Sequence, residues 1–311
     1  MPARSVQVDN LVSKFARIEL ADYLTSEQKK EYIYKAVQEF VEGAEEKEEF
    51  EPKAKVGILT IMECEKTAVL EAFNLNDKNR QKHELTYYVN DFVVSSGRSY
   101  TVYVVQSPTE GQASAAVATT YLMGRYKPDI VLCCGIAGGV EGKVNLGDVI
   151  VADRVIYFEP GKITPDGVLP NPRMSQADPM LLDRARNLPD WNAPRFEEIE
   201  NEDITPVRRI GVLATGDKIV ALPEKMEELR NRFSYKIIGV ETEGDGFGMA
   251  IWLTQRLVRG LVIRGVSDFA DLEKADPNWK DKESWQRIAA KSAASFLKHF
   301  IYDDPLLEGP V

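Results

Sequence analysis

Short apolar runs alternate with amphipathic segments over most of the chain, and the two patterns predict strands and helices in turn. Strands are predicted for residues 56–61, 85–95, 100–106, 129–134, 147–157, 209–214 and 260–266, and those at 56–61, 129–134 and 260–266 are expected to be buried. Helices are predicted for residues 111–126, 179–187, 223–233, 246–257 and 283–302. Strands interleaved with helices indicate an α/β domain whose central sheet is covered on both faces. The stretch 158–208 is rich in Pro, Asn and Asp, so we expect long connections there.

Residues 1–50 differ from the rest of the chain and predict a helical N-terminal extension with a charged linker. Thr25 and Gln28 have the spacing of a capping box. Apolar side chains then recur on one helical face, at Ile33, Val37, Phe40 and Val41. We therefore divide the chain into an extension, 1–50, and a main domain, 51–311. The extension either packs on the main domain or a neighbouring subunit, or recruits a protein partner.

Composition excludes several classes of function. The 311 residues carry a formal charge of −10, and an acidic surface disfavours binding to nucleic acid or anionic membranes. We find neither an apolar run of the roughly 20 residues that a spanning helix needs nor a secretory leader. Cys64, Cys133 and Cys134 lie in apolar runs and are expected to be free thiols in the cytoplasm. With two histidines, His83 and His299, far apart, we expect no metal site and no cofactor.

Carboxylates follow the apolar runs at several places. Glu65 comes just after the first predicted strand, where it could face a ligand crevice or merely favour the start of a helix. Glu241 and Glu243, separated by Thr242, follow another apolar run. Either both are solvated, or one of them accepts hydrogen bonds from vicinal hydroxyls of a sugar.

Two further segments combine a strand end with a possible site. Residues 135–139 hold three glycines, and a loop of that kind lets backbone N–H groups approach a ligand. No helix with dinucleotide-binding spacing follows it, so it does not predict a Rossmann site. Ser267 and Asp268 end the last predicted strand. Asp268 could carry a proton in an enclosed site, or the pair could simply form a turn.

In this order and spacing, the segments resemble the nucleoside phosphorylase superfamily, and most of all its methylthioadenosine/S-adenosylhomocysteine nucleosidases. The matching stretches are VGILTIMECE, CCGIAGGVEGKVNLGDVIVAD, ATGD, GVETEG and IRGVSDFAD. The resemblance runs from about residue 55 to about residue 302. It implies a three-layer α/β/α fold with a mixed central sheet.

The resemblance also implies roles for individual residues. Glu65 matches the carboxylate that activates the attacking water, and Glu243 matches the one that holds the ribose 2′ and 3′ hydroxyls, with Glu241 beside it. Asp268, next to Ser267, matches the acid that protonates the purine at N7. The remaining predicted substrate contacts are Ala137 and Gly138 in the glycine-rich loop, Thr242, Lys218 and Ile219.

Three positions depart from the family pattern. Ile136 stands where a serine is common, and the arginine and serine that hold phosphate in phosphorylases are missing, so water is the expected acceptor. Thr242 replaces the usual methionine between the two glutamates. Ile219 replaces a base-stacking phenylalanine, and Tyr157 or Phe158 could stack on the purine instead.

The sequence therefore predicts a cytoplasmic adenine nucleosidase that hydrolyses a nucleoside such as methylthioadenosine or S-adenosylhomocysteine. The resemblance implies a homodimer or larger homo-oligomer. If Lys162 and Lys218 face the pocket, the substrate would instead be a nucleotide such as AMP or ATP, which would suit a stress or defence effector. Two more functions are compatible with the same residues, namely a purine nucleoside phosphorylase and a non-catalytic nucleoside sensor.

Overall fold

The computed structural model describes residues 53–189, 191–197, 204–254, 258–271 and 281–304, together with the single positions Thr25, Gln28, Lys35 and Asp276. The chain divides into two units, Met1–Pro52 and Lys53–Val311. Of the helix predicted after Thr25, only the capping-box pair and the helical position Lys35 are among the described residues. In that pair, the Thr25 N–H donates to Gln28 Oε1 (2.9 Å), and the Gln28 N–H donates to Thr25 Oγ1 (3.3 Å).

The described part of the main domain alternates strands and helices as the hydrophobic pattern predicts. The strands are β1 Ala54–Thr60, β2 Arg80–Lys82, β3 Thr86–Val93, β4 Ser99–Gln106, β5 Ile130–Gly139, β6 Val149–Tyr157, β7 Gly161–Thr164, β8 Gly167–Pro170, β9 Arg173–Gln176, β10 Arg208–Thr215, β11 Ile237–Glu241 and β12 Arg259–Asp268. The helices are α1 Glu63–Ala72, α2 Gln112–Tyr126, α3 Pro179–Asn187, α4 Pro223–Arg232, α5 Gly244–Trp252 and α6 Lys282–Tyr302, with a short 3-10 turn at Asp77–Asn79.

The central sheet is mixed. Its path runs β11-β10-β6-β12-β5-β1-β4-β3-β2, with β9 added beside β6. Strand β1 lies parallel to both β4 and β5, and β12 lies parallel to β5. Strand β11 pairs with β10 and also, antiparallel, with β5, which closes this half of the sheet into a ring. Because β1, β4, β5 and β12 run in one direction, the segments that follow them meet at one edge of the sheet.

Helices cover both faces of the sheet, so the three-layer arrangement is confirmed. Alternate residues of a strand point to opposite faces. Thus Ile58 packs with α1, α3 and α6 on one side, whereas its neighbour Leu59 packs with α2 and α5 on the other. None of the helices in the described residues is long and apolar enough to cross a membrane.

Two sequence predictions about irregular structure are wrong. Residues 135–139 are not a loop, since β5 continues to Gly139 and pairs with β12 and β11 along that stretch. The ladder hydrogen bonds on both sides outweigh the weak strand preference of glycine. The stretch 158–208 is also not all connection outside the predicted helix α3, because it contains the short strands β7, β8 and β9.

Candidate active site

Glu65 is a buried carboxylate in the first turn of α1. Its side chain accepts backbone N–H groups from Ile61 (2.7 Å) and Met62 (2.9 Å) on Oε2 and from Ile136 (2.9 Å) on Oε1. Nearby Glu63, by contrast, is exposed and pairs with Lys66. Glu65 therefore does not behave as a solvated helix-start glutamate. Burial raises its pKa above the ordinary value, and the Arg264 guanidinium and the three N–H groups oppose that rise.

Arg264 lies in the middle of β12 and is completely buried. Its Nη2 donates to Glu241 Oε2 (2.5 Å) and to Glu243 Oε2 (3.1 Å), while Nη1 lies 3.9 Å from Glu65 Oε1. The neighbouring carboxylates raise its pKa well above the ordinary value despite the burial. Gly135 makes room for the cluster, because a Cβ there would collide with Arg264 Nη1 and lie 2.6 Å from Glu65 Oε1.

The sequence motifs assign no role to Arg264, although the apolar run around it carries a signal. An arginine inside the apolar run GLVIRGV must be paired, since an isolated charge in a strand buried on both faces would be very costly. The run itself therefore indicates that carboxylates lie close by.

Glu241 and Glu243 are both buried, so the interpretation in which both are solvated is wrong. Glu241 accepts the backbone N–H groups of Glu243 and Gly244, each at 3.0 Å, in addition to Arg264. Its oxygens are thus occupied in shaping the turn between β11 and α5. Glu243 accepts the Gly111 N–H (3.0 Å) and the Thr242 hydroxyl (2.5 Å) on Oε1 and Arg264 on Oε2.

Asp268 ends β12 opposite Gly138 of β5. Ser267 Oγ donates to Asp268 Oδ2 (2.7 Å), and the Ala270 N–H donates to Oδ1 (2.9 Å). A Cβ on Gly138 would lie 2.9 Å from Asp268 Oδ1, so the absence of a side chain there leaves that carboxylate approachable. Buried Ala137 contributes its carbonyl, 3.4 Å from Ser267 Oγ.

The structure does not bring Lys218 and Ile219 to these carboxylates. Both lie in the segment after β10 and are exposed, Lys218 by 76% of its side chain and Ile219 by 64%. Lys218 pairs with Glu159 at 2.9 Å. Lys162 is exposed on β7. The substrate contacts expected of Lys218 and Ile219 therefore stay predictions without geometric support.

Two aromatic side chains stand at the end of β6. The Tyr157 hydroxyl donates to Asp217 (2.6 Å), and the guanidinium of Arg173 covers its ring at 4.9 Å from the centroid. Phe158 packs against the apolar cluster that contains Ala270, the residue whose N–H binds Asp268. Of the two rings, Phe158 is therefore the one that packs on the cluster beside Asp268.

Comparison with known proteins places this geometry in a family. A model described as the phosphorylase superfamily matches residues 55–302. The 5′-methylthioadenosine/S-adenosylhomocysteine nucleosidase of Maridesulfovibrio salexigens is 27% identical over 248 residues, which cover 78% of this chain and 97% of that protein. The Staphylococcus epidermidis nucleosidase of the same name is 24% identical over 246 residues, covering 78% and 98%.

Two solved structures of nucleosidases have the same fold as this chain. The methylthioadenosine/S-adenosylhomocysteine nucleosidase of Colwellia psychrerythraea, in complex with adenine, superposes with a TM-score of 0.63 at 25% identity and covers 81% of this chain and 96% of its own. The S-adenosylhomocysteine nucleosidase of Streptococcus pyogenes, in complex with 5-methylthiotubericidin, gives 0.64 at 24% identity, covering 83% and 100%. The chain therefore belongs to the phosphorylase superfamily.

Proposed function

We propose that this protein is an N-glycosyl hydrolase that releases adenine from a nucleoside such as methylthioadenosine or S-adenosylhomocysteine. The observation that carries the proposal is the grouping of Glu65, Glu241 and Glu243 on the buried cation Arg264, with Asp268 on the same strand as that arginine. The names of the curated relatives support the substrate class.

The leaving purine needs a proton. Cleavage of the bond between C1′ and N9 leaves negative charge on the base, and protonation at N7 lets the base depart as a neutral molecule. Asp268 is the acid in this proposal. Its hydrogen bonds from Ser267 Oγ and the Ala270 N–H fix the orientation of the carboxyl group beside the open Cα of Gly138.

Cleavage leaves positive charge on the sugar, which must be stabilised, and a nucleophile must then bond to C1′. Glu243 holds the ribose hydroxyls and stabilises the cationic ribosyl group electrostatically. Glu65 takes a proton from the attacking water, as the base does in inverting glycoside hydrolysis. The 3.9 Å between Arg264 Nη1 and Glu65 Oε1 is too long for a direct hydrogen bond and suits a water held between the two groups. Arg264 would then help to orient the nucleophile.

Water is favoured over phosphate by the side chains at the glycine-rich segment. Cys133 and Cys134 are buried in the sheet, and Ile136 packs partly against the core. These side chains offer no cation or strong hydrogen-bond donor to a phosphate dianion, which would be poorly stabilised beside them. We therefore prefer a nucleosidase to a phosphorylase.

A substrate panel tests the proposal. The protein is incubated with methylthioadenosine, S-adenosylhomocysteine, adenosine, AMP and ATP, with and without inorganic phosphate, and free adenine is measured by chromatography. We expect adenine from the nucleosides at a rate that phosphate does not change. A preference for AMP or ATP would overturn the proposal in favour of a nucleotide nucleosidase. A requirement for phosphate would indicate a phosphorylase, and tight nucleoside binding without base release would indicate a sensor.

We further propose that the protein self-associates and works in the cytoplasm. Apolar side chains stand exposed on the hairpin β7–β8, with Ile163 87%, Leu169 61% and Val168 54% accessible. Exposed apolar clusters of this kind mark interaction surfaces. All three cysteines are free, which suits a reducing compartment. Residues 1–50 stay our candidate for contact with a protein partner.

A further inference from the structure

Gln112 lies beside the candidate site, and neither the family resemblance nor the proposed mechanism gives it a role. It is the first residue of α2 and follows Gly111, whose φ of +98° is a conformation that side-chain-bearing residues rarely adopt. Gly111 is the residue whose N–H binds Glu243 Oε1 at 3.0 Å. The position of Gln112 therefore affects the geometry of the hydrogen bond from Gly111 to Glu243, the carboxylate proposed to bind the ribose.

The side-chain amide of Gln112 joins two other segments of the site. Its Oε1 accepts the Gly246 N–H (2.8 Å) in the first turn of α5, the helix whose N-cap is Glu243. Its Nε2 donates to Oγ1 of Thr215 (2.6 Å), a fully buried residue at the end of β10. Only a side chain with a donor and an acceptor at its tip can make both bonds at once, and an amide has both.

The backbones at this point are in close contact. A Cβ on Gly246 would collide with the carbonyl oxygen of Gln112 and lie 2.9 Å from its Cα. The first turn of α2 therefore packs against the first turn of α5, and the hydrogen bond from the Gly246 N–H to the Gln112 amide holds the two turns together. Without the Gln112 amide, α2 could shift along α5, and the Gly111 N–H would move with it away from Glu243.

We propose that Gln112 is a positioning residue that fixes Glu243 for recognition of the ribose hydroxyls. This inference rests on the proposed function, since it takes Glu243 as the hydroxyl acceptor. Gln112 acts through Gly111 and through the N-terminus of α5. Its loss should therefore weaken the discrimination between sugars with and without 2′ and 3′ hydroxyls, and should spare contacts to the base.

The test compares adenosine with 2′,3′-dideoxyadenosine for the wild type and Gln112→Leu. The variant keeps the size of the side chain and removes its hydrogen bonds to Gly246, Thr215 and Gly216. We expect the ratio of kcat/KM for the two substrates, corrected for uncatalysed hydrolysis, to fall about tenfold or more in the variant. That is the size expected when a hydrogen bond to a charged group is disturbed. The Kd for free adenine should stay within about twofold of the wild-type value.

Two further variants sharpen the comparison. Thr215→Val removes one of these three hydrogen bonds and should lower the ratio by less than Gln112→Leu. It takes the place of Gln112→Leu if that variant does not fold. Gln81→Leu, on β2, removes a hydrogen bond from the Tyr126 hydroxyl (3.1 Å) at the other end of α2. It controls for a lost amide contact with this helix away from Gly111 and should leave the ratio unchanged.

The outcomes separate the inference from the proposed function. An unchanged ratio, or an equal loss on both nucleosides and on adenine, would show that Gln112 has only a structural role. If the wild type turns over neither nucleoside, the proposed function fails, and the same ratio is then taken from calorimetric Kd values. In that case Gln112 keeps its role only if the wild type binds adenosine more tightly than the dideoxy form and the variant loses that preference.

Discussion

At the scale of single residues, the candidate site places more negative than positive charge in the protein interior. One buried cation, Arg264, faces Glu65, Glu241 and Glu243. Glu241 and Glu243 accept direct hydrogen bonds from it, whereas Glu65 lies 3.9 Å away. Arg264 therefore offsets the cost of burying Glu65 less than that of burying the other two glutamates. This agrees with the raised pKa of Glu65. A carboxylate with a raised pKa is a stronger base toward water.

This balance predicts the acid side of the pH profile. The proposed base acts only when ionised, and burial raises the pKa of Glu65 above its ordinary value of 4.5. Activity should therefore be lost, as pH falls, at a higher pH than an ordinary glutamate would give. We expect the acid limb of kcat/KM against pH to have an apparent pKa above 4.5. A limb at or below that value would contradict the role of Glu65.

A second prediction concerns the acid. Asp268→Asn keeps the shape of the side chain, and its amide oxygen can still accept the Ala270 N–H while its amide nitrogen donates to Ser267 Oγ, but it cannot supply the proton. We expect kcat to fall by about 10² or more, with an unchanged melting temperature. Asp183→Asn, at an exposed position of α3, is the matched control and should be fully active. A residual rate above about a tenth of wild type in Asp268→Asn would remove it from the role of acid.

The sequence indicates some of these residues and hides others for physical reasons. Glu65 and Asp268 follow β1 and end β12, two strands parallel to β5, so their grouping at one edge of the sheet could be expected. Glu243 follows β11, which is antiparallel to β5, so its place beside them could not be expected from strand direction. The hydrogen bonds of Gln112 could not be expected from the sequence, because its partners Thr215 and Gly246 lie more than a hundred residues away along the chain. Hydrogen bonds of that kind follow from packing and leave no local pattern.

At the scale of elements, close backbone contacts hold the site in place. Strand β12 carries Arg264 and Asp268, and α6 packs directly on it. A Cβ on Gly265 would collide with the backbone carbonyl of Ala289 in α6. The small residues at this contact therefore set the distance between the strand and the helix.

This contact gives a stability prediction. Gly265→Ala should lower the free energy of unfolding by about 1–3 kcal/mol, the usual cost of overpacking against a rigid neighbour. Gly124→Ala, in α2, meets no atom within 4 Å and should raise stability by up to about 1 kcal/mol through helix propensity. Chemical denaturation of the two variants measures both. Equal stabilities would mean that β12 and α6 are not packed as described.

Element boundaries show where local patterns fail. The strong apolar runs locate the central strands to within a few residues. The extension of β5 through Gly139 was missed because glycine suggests a loop, although pairing on both sides decides the outcome there. Strands β7, β8 and β9 are only four residues each and mostly exposed, so they lack the periodicity on which prediction depends.

At the scale of the whole molecule, we expect association through the hairpin β7–β8. Ile163→Asp places a charge among its exposed apolar side chains and should shift the protein to a smaller species in sedimentation velocity. Val93→Asp, at another exposed position (61%), is the control and should not change the assembly. A wild-type monomer, or an Ile163→Asp variant that assembles like wild type, would rule out this surface.

In the reaction that we propose, water activated within the carboxylate cluster replaces adenine on the sugar. The most direct measurement is turnover of methylthioadenosine in oxygen-18 water with inorganic phosphate present, followed by mass spectrometry of the sugar product. We predict a free sugar that carries one oxygen-18 atom from the solvent at C1′, formed by Asp268→Asn about 10² times more slowly or slower still. A sugar 1-phosphate without solvent oxygen, or no release of adenine at all, would contradict the account.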